Sequence, residues 1–237
     1  MIDMALREQV ARANADLVKA GLVTLSFGNV SGVDREANAL VIKPSGVACD
    51  QVRPEDLVVV SLIDGRVLEG TMRPSSDTPT HLRLYQAFPE LGGVVHTHSS
   101  FAAAFAQSGQ DIPALGTTHA DHFRGPVPTT RLMTEAEIEG EYELETGNVI
   151  IETIDGRVDD ALRMPAVLVR SHGPFTWGAD ADQAVVNAIA LEAVAAMAER
   201  TLSIEPDAPD IQETLLRRHF DRKHGPGAYY GQPGDRH

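Results

Sequence analysis

The chain has 237 residues, of which 43% are hydrophobic, so it can bury a sizeable core in one large domain or at most two. Acidic residues outnumber Lys and Arg by 34 to 20, and the net charge of -14 argues against nucleic acid and anionic membranes as partners. The one cysteine, Cys49, allows no disulfide within the chain, which fits a reducing compartment. The first residues lack the basic and apolar regions of a secretory signal, so we expect a soluble cytoplasmic protein.

Helical and extended patterns alternate along the chain. Leu6, Val10, Ala13 and Leu17 share one face of a helix over residues 3–20, which Gly21 ends. Strands are predicted over residues 40–43, 57–62, 66–68 (after the Asp64-Gly65 turn), 93–98, 148–152 and 166–171. Further helices are predicted over residues 78–88, from the end of the 93–98 strand to 107, and over 134–146, 180–200 and 207–223.

The interleaving of strands and helices, without a repeat or a linker, predicts one α/β domain over residues 1–237 with helices on both sides of a mixed sheet. Residues 225–237 are expected to form a loop-like C-terminal tail. The apolar stretch at residues 184–198 contains Asn187 and Glu192 and is too short to span a bilayer.

Two histidines two residues apart are the most informative feature. His96 and His98 end an apolar run, and they point the same way if that run is a strand. His172 follows a second β-branched run. Three His ligands with an open fourth position are typical of a catalytic metal. The alternative for His96 and His98 is a pair of hydrogen-bonded loop histidines.

Three polar segments are candidates for an anion site. Ser75, Ser76 and Asp77 precede a predicted helix, where capping is the favoured role. A phosphate site at the helix N-terminus is compatible with capping for the serines, and Asp77 is alternatively a metal ligand or an outer carboxylate. The other two segments are predicted turns, one containing Lys43, Ser45 and Gly46 and the other Gly28 and Asn29.

Two further segments carry titratable groups. His119, Asp121 and His122 crowd a predicted loop, where a carboxylate beside imidazoles suits a general base and a solvated loop is the alternative. Both histidines also compete as metal ligands. Tyr230 near the C-terminus is a packing anchor or a proton-transferring phenol. Cys49 has no ligand partner nearby in the sequence, and we expect a structural role.

Taken together, the motifs resemble the L-ribulose-5-phosphate 4-epimerase branch of the class II aldolase/epimerase family, over nearly the whole chain. The most specific matches are Val41-Ile-Lys-Pro-Ser-Gly-Val, Arg73-Pro-Ser-Ser-Asp-Thr-Pro-Thr-His, Val94-Val-His-Thr-His-Ser, Gly116-Thr-Thr-His-Ala-Asp and Ser171-His-Gly-Pro-Phe. The resemblance implies a three-layer α/β/α domain with a central mixed, largely antiparallel sheet. It also implies a homotetramer that acts on a small sugar phosphate.

The resemblance assigns roles to individual residues. It implies zinc, or another divalent ion such as manganese, held by His96, His98 and His172 with Asp77 beside it. It implies Asp121 and Tyr230 as the acid/base pair, with Tyr230 acting across the subunit interface. The implied phosphate and substrate site contains Gly28, Asn29, Lys43, Ser45, Gly46, Ser75 and Ser76.

The implied reaction is the C4 epimerisation of L-ribulose 5-phosphate to D-xylulose 5-phosphate, in arabinose or ascorbate breakdown. C4 is not α to the C2 carbonyl, so inversion needs either oxidation or cleavage of the C3–C4 bond. The sequence shows no dinucleotide motif, which favours retro-aldol cleavage and re-addition. Asp121 is the main reason to favour an epimerase over a sugar-phosphate aldolase. A non-catalytic scaffold is the alternative of a different class.

Overall fold

A computed structural model describes residues 2–157 and 160–230. Its helices are α1 (Met4–Lys19), α2 (Thr78–Ala87), α3 (Ser100–Ser108), α4 (Thr117–Ala120), α5 (Glu135–Glu139), α6 (Tyr142–Asp155), α7 (Ala181–Ile204) and α8 (Glu213–His224). Its strands are β1 (Gly28–Asp34), β2 (Ala39–Ile42), β3 (Val58–Ser61), β4 (Val67–Glu69), β5 (Gly93–Thr97), β6 (Ala166–Val169) and β7 (Gly173–Gly178).

The strands form one seven-stranded sheet in the order β4-β3-β2-β1-β5-β7-β6. Every pairing between these strands is antiparallel. Within the described residues the parallel component is an isolated bridge from Thr129 to Leu168, so the expected mixed character is confined to that contact. The central strands β1 and β5 pair with Asn29 opposite His96, which brings two candidate site residues together.

Helices cover both faces of the sheet, as a three-layer α/β/α architecture requires. On one face, α1 and α7 pack against β-strand residues that include Val30, Val41 and Val95. On the other face, α2 and α6 cover a second cluster that includes Val94 and Trp177. Because neighbouring residues of a strand face opposite layers, Val94 and Val95 belong to different clusters. The expected α/β fold is therefore confirmed.

The helix α7 is longer than the sequence pattern suggested. It has 24 residues and, by length and composition alone, could cross a membrane. More than half of its apolar stretch is buried inside the protein, against β5, β7, α1 and α3. The polar side chain of Asn187 is satisfied there, because its amide donates to the Trp177 carbonyl at 2.7 Å. These contacts are those of a core helix that packs against the sheet.

Several predicted elements are corrected by the structure. Residues 148–152 are helical within α6 and not a strand, because an apolar run this short fits a buried helix face as well as a strand. The Thr134 capping box is present, but the helix it starts ends at Glu139, before Gly140, and α6 begins separately at Tyr142. The last helix begins at Glu213 and not near residue 207. The strands β1 and β7 were not predicted.

Candidate metal and phosphate site

Three imidazoles meet where strand β5 ends and strand β7 begins. His96 lies in β5 and His98 directly follows it, so strand alternation points both rings to the same side. His172 occupies the turn that joins β6 to β7, and β7 pairs with β5. One ligand nitrogen from each histidine lies within 4.8 Å of the others. The pairing of β5 with β7 therefore assembles a group that is dispersed in the sequence.

The hydrogen bonds and protonation of these histidines suit metal binding. The Nδ1 of His96 lies 3.0 Å from the Pro174 carbonyl, to which it can only donate, so its Nε2 keeps the lone pair. That Nε2 lies 3.0 Å from the Nε2 of His98. Burial lowers the pKa of all three histidines, most strongly for His96, so they are neutral at pH 7. Neutral imidazoles with converging lone pairs fit a divalent cation.

Asp77 occupies the N-cap position of α2 but does not cap it. Its side chain makes no capping hydrogen bond, so the favoured capping interpretation is wrong for this residue. Its carboxylate instead accepts a 2.6 Å hydrogen bond from the Asn29 amide. Asp77 lies outside the group of ligand nitrogens, although its charge acts on His98 and His172. This geometry suits a carboxylate beside the metal site.

Two loops that carry the candidate phosphate ligands are joined to each other. The amide of Ser45 donates to the Arg73 carbonyl at 2.9 Å, and the amide of Ser75 donates to the Lys43 carbonyl at 3.0 Å. Lys43 is almost fully buried, and this burial lowers the pKa of its ammonium group. The loops therefore place a lysine, the serines and Gly46 on one side of the histidines, in an arrangement suited to a phosphate.

Gly28 and Asn29 do not form the predicted turn. They begin strand β1 in the middle of the sheet, and the polar character of Asn29 serves its bond to Asp77. Gly28 has a φ of +125°, and an added Cβ would lie 2.8 Å from the His96 carbonyl oxygen. A side chain is therefore excluded where the strand approaches the histidines.

A cavity of about 450 Å³ contains this whole arrangement, a size typical of small-molecule sites. All of the expected metal and phosphate residues line it: Gly28, Asn29, Lys43, Ser45, Gly46, Ser75, Ser76, Asp77, His96, His98 and His172. Four residues that we did not predict also line it: Ser26, Phe27, Tyr142 and Glu143.

The unpredicted residues reach the cavity through tertiary packing. The Tyr142 hydroxyl lies 3.4 Å from the Nδ1 of His172, and the Glu143 carbonyl accepts a 2.5 Å hydrogen bond from Thr80 of α2. The Phe27 ring stacks on His98 with centroids 5.9 Å apart. No spacing in the sequence marked these positions. The Gly140 that separates α5 from α6 was the available signal that a new helix starts beside Tyr142.

Asp121 and Tyr230 lie outside this cavity, where α4 packs on α8. Asp121 follows the last residue of α4, and Tyr230 lies in the segment after α8. The Asp121 carboxylate accepts two hydrogen bonds from the Arg222 Nη2, at 2.9 and 2.8 Å, and one from His219 at 3.0 Å. Burial opposes its ionisation, but these bonds outweigh that effect and hold the pKa of the carboxyl below its ordinary value. The Arg222 guanidinium also lies 4.3 Å from the centroid of the Tyr230 ring. Arg222 thus contacts both expected acid/base residues. Neither Asp121 nor Tyr230 is among the described residues that line the cavity.

The remaining histidine candidates have local partners. The segment around His119 is the short helix α4 and not a loop. His119 is buried and its Nε2 donates to the Gly125 carbonyl at 2.7 Å, while His122 approaches Lys223. Among the described residues, neither belongs to the cluster of ligand nitrogens. Cys49 is buried and its thiol donates to the Gly28 carbonyl at 3.3 Å, and burial raises its pKa.

The fold and the histidine site define the class to which the protein belongs. Residues 8–198 match the family described as Class II Aldolase and Adducin N-terminal domain, and the chain belongs to this family. It is 57% identical over 227 residues to L-ribulose-5-phosphate 4-epimerase UlaF of Salmonella paratyphi A, covering 96% of this chain and 98% of that protein. The corresponding protein of Salmonella typhi gives the same identity and coverage.

Solved structures support the same fold. An L-fuculose 1-phosphate aldolase superposes with a TM-score of 0.73 at 20% identity, covering 94% of this chain and 97% of the other. YgbL of Klebsiella pneumoniae, described as a putative aldolase/epimerase/decarboxylase, gives a TM-score of 0.72 at 25% identity, covering 92% of this chain and 99% of the other. The family expectation drawn from the sequence motifs is confirmed.

Proposed function

We propose that this protein is a cytoplasmic L-ribulose-5-phosphate 4-epimerase that interconverts L-ribulose 5-phosphate and D-xylulose 5-phosphate. The observation that carries the proposal is the 57% identity, over 96% of the chain, to a protein of that name. The cavity supports it, because three neutral imidazoles and a lysine-serine pocket share one space suited to a sugar phosphate. The intact donor set also argues against a non-catalytic scaffold.

The chemistry requires cleavage of the C3–C4 bond. A base removes the C4 hydroxyl proton as the bond breaks, which leaves an enediolate and glycolaldehyde phosphate. The aldehyde rotates and is attacked on its other face, and an acid returns a proton to the new C4 oxygen. A divalent cation, zinc in our proposal, would when bound to His96, His98 and His172 supply positive charge that stabilises an enediolate.

The phosphate pocket has a second role in this reaction. The aldehyde fragment carries the phosphate, so Lys43 and the serines of the two joined loops would hold the fragment while it turns. Binding of the phosphate by these residues would prevent release of the aldehyde fragment. An aldolase, in contrast, releases both fragments. Gly28 and Asn29 would contact the substrate from the strand β1.

Asp121 and Tyr230 are proposed as the two proton-transfer groups. Arg222 contacts both residues, so they would reach a substrate as one unit. Because this unit lies outside the cavity of its own chain, we propose that it serves the cavity of a neighbouring subunit in a homotetramer. Tyr142 is the phenol within the cavity, and its hydroxyl is already beside His172.

The proposal is tested by a coupled assay for D-xylulose 5-phosphate, using metal-stripped protein with zinc or manganese restored. We expect product that depends on the metal, and a loss of about 10²–10⁴-fold in kcat in Asp121→Asn at unchanged metal content. Tyr142→Phe is the matched control for Tyr230→Phe, which should be the more damaging change. Accumulation of free glycolaldehyde phosphate as fast as epimer would instead identify an aldolase, and full turnover in Asp121→Asn would remove that residue from the mechanism.

A further inference from the structure

Two hydrogen-bonded pairs connect β1 to α2 beneath the cavity. Asn29 and Ser31 are two residues apart on the strand and face the same side, while Asp77 and His81 are four apart at the start of the helix. The outer pair joins the Asn29 amide to Asp77 at 2.6 Å, and it lines the cavity. The inner pair joins the Ser31 hydroxyl to the His81 Nδ1 at 2.7 Å, and it is fully buried.

The inner pair continues into the core. The Tyr85 hydroxyl lies 2.9 Å from the Ser31 hydroxyl and donates to the Ser31 carbonyl at 3.1 Å. The His81 ring meets the edge of Phe175, whose ring in turn stacks on His96. Burial lowers the pKa of His81 to about 3, so its ring is neutral and carries one N–H.

Two buried polar atoms on these neighbouring pairs lack a hydrogen-bond partner among the described residues. They are the Nε2 of His81 and the Oδ1 of Asn29. The three contacts among Ser31, His81 and Tyr85 need three protons, and the Tyr85 hydroxyl donates its own to the Ser31 carbonyl. The Ser31 hydroxyl therefore donates to Tyr85 and the His81 Nδ1–H donates to Ser31, so the His81 Nε2 is an acceptor, as the Asn29 Oδ1 is. One buried water between the two pairs would satisfy both atoms, and buried waters occur at such polar sites.

We propose that His81 is a positioning residue that, through one buried water, fixes the orientation of the Asn29 amide and thereby the Asp77 carboxylate beside the metal site. An Asn amide presents its oxygen or its nitrogen to a neighbour depending on the partners of the other atom. With its oxygen held by the water, Asn29 must direct its nitrogen towards Asp77 and the cavity. Without the water, the amide can turn its oxygen towards the carboxylate and repel it.

The catalytic part of this inference depends on the proposed function, but its structural part does not. A crystal structure of the wild-type protein should show a water within 3.2 Å of both the His81 Nε2 and the Asn29 Oδ1, a distance typical of hydrogen bonds. A site without that water would overturn the inference, whatever reaction the protein catalyses. This measurement also applies if every His81 variant fails to fold.

Two variants test the effect on turnover. His81→Phe keeps a planar ring but removes both nitrogens, whereas the side-chain amide of His81→Gln can hydrogen-bond to the water from near the Nε2 position. We expect His81→Phe to lower kcat by about 10- to 100-fold at unchanged metal stoichiometry, and His81→Gln to restore most of it. Equal loss in both variants, or full activity in a folded His81→Phe, would contradict a positioning role. An inactive wild-type protein that contains the water would count against the epimerase proposal alone.

Discussion

At this site, the position and protonation of individual side chains depend on contacts with the neighbouring backbone. His96 is held in one tautomer by the Pro174 carbonyl, and its position opposite Asn29 follows from the pairing of β1 with β5. Gly28, one residue before Asn29, is required because the strand passes close to the His96 carbonyl. The roles of these residues in binding therefore depend on main-chain contacts as much as on side-chain chemistry.

The change Gly28→Ala should test this main-chain constraint. A Cβ would lie 2.8 Å from the His96 oxygen at a φ of +125°, so we expect a loss of about 1–3 kcal/mol in the free energy of unfolding. Metal affinity should fall with it, because the β5 backbone that carries His96 must move. Urea unfolding and calorimetric metal titration would measure the two effects.

The matched control for this change is Gly227→Ala, where an added Cβ meets nothing within 4 Å. Its unfolding free energy should stay within about 0.5 kcal/mol of the wild-type value. Equal stability and metal affinity in both variants would show that the close approach at Gly28 is not a constraint.

At the level of elements, α6 brings Tyr142 and Glu143 to the cavity by packing on α2. The close point of this contact is Gly147, where an added Cβ would lie 2.8 Å from the Arg83 Cβ. Thr80 of α2 reinforces the contact through its bond to the Glu143 carbonyl. The separation between two helices therefore determines where one wall of the cavity lies.

The change Gly147→Ala has two opposing effects on stability, one through helix propensity and one through packing. Alanine favours an isolated helix over glycine by about 1 kcal/mol, whereas overpacking a tight contact costs about 1–3 kcal/mol. We expect a net loss of stability and a higher KM, because α6 must move away from α2. Asp155→Ala, at an exposed position of the same helix, is the control and should change little. A stabilised Gly147→Ala variant would mean that the helices do not meet closely there.

The whole molecule combines strong acidity with several neutral, buried histidines. Burial lowers the pKa of His81 to about 3 and that of His122 to about 4, and it also lowers the pKa of His119 and of the three cavity histidines. In the unfolded chain a histidine titrates near pH 6.5, so below that pH the unfolded state binds more protons than the folded state. The stability that depends on neutral imidazoles is therefore present above about pH 6.5 and is lost as the pH falls.

We expect the unfolding free energy of metal-free protein to decrease steadily from pH 7 to pH 5. His81 alone can contribute a slope of up to about 1.4 kcal/mol per pH unit below its unfolded pKa, because its folded pKa is about 3. Urea unfolding at a series of pH values would measure this slope. It should be shallower in His81→Phe, which lacks the titrating group, and a stability independent of pH in this range would contradict the prediction.

Much of the fold and of the candidate site could be predicted from local sequence. The period of apolar residues indicated α1, and the cap residues with Pro79 in the first turn indicated α2. The strands β2, β3, β5 and β6 followed from short apolar runs. The strands β1 and β7 were missed because Gly, Asn, Ser and Pro weaken the strand pattern, while sheet pairing on both sides stabilises them. The helix α6 was divided for the opposite reason, because its β-branched residues suit a strand locally but pack on α2.

The sequence by itself determined the residue types of the site, its family and its acidic charge, since these depend on motifs and composition. Only the tertiary structure decided which residues share a space. The pairing of β5 with β7 brought His172 to His96 and His98, and helix packing added Tyr142, whereas Asp121 and Tyr230 were placed together at another corner. The physical reason is that side-chain convergence depends on contacts between residues far apart in the chain, and local patterns carry no information about those distances.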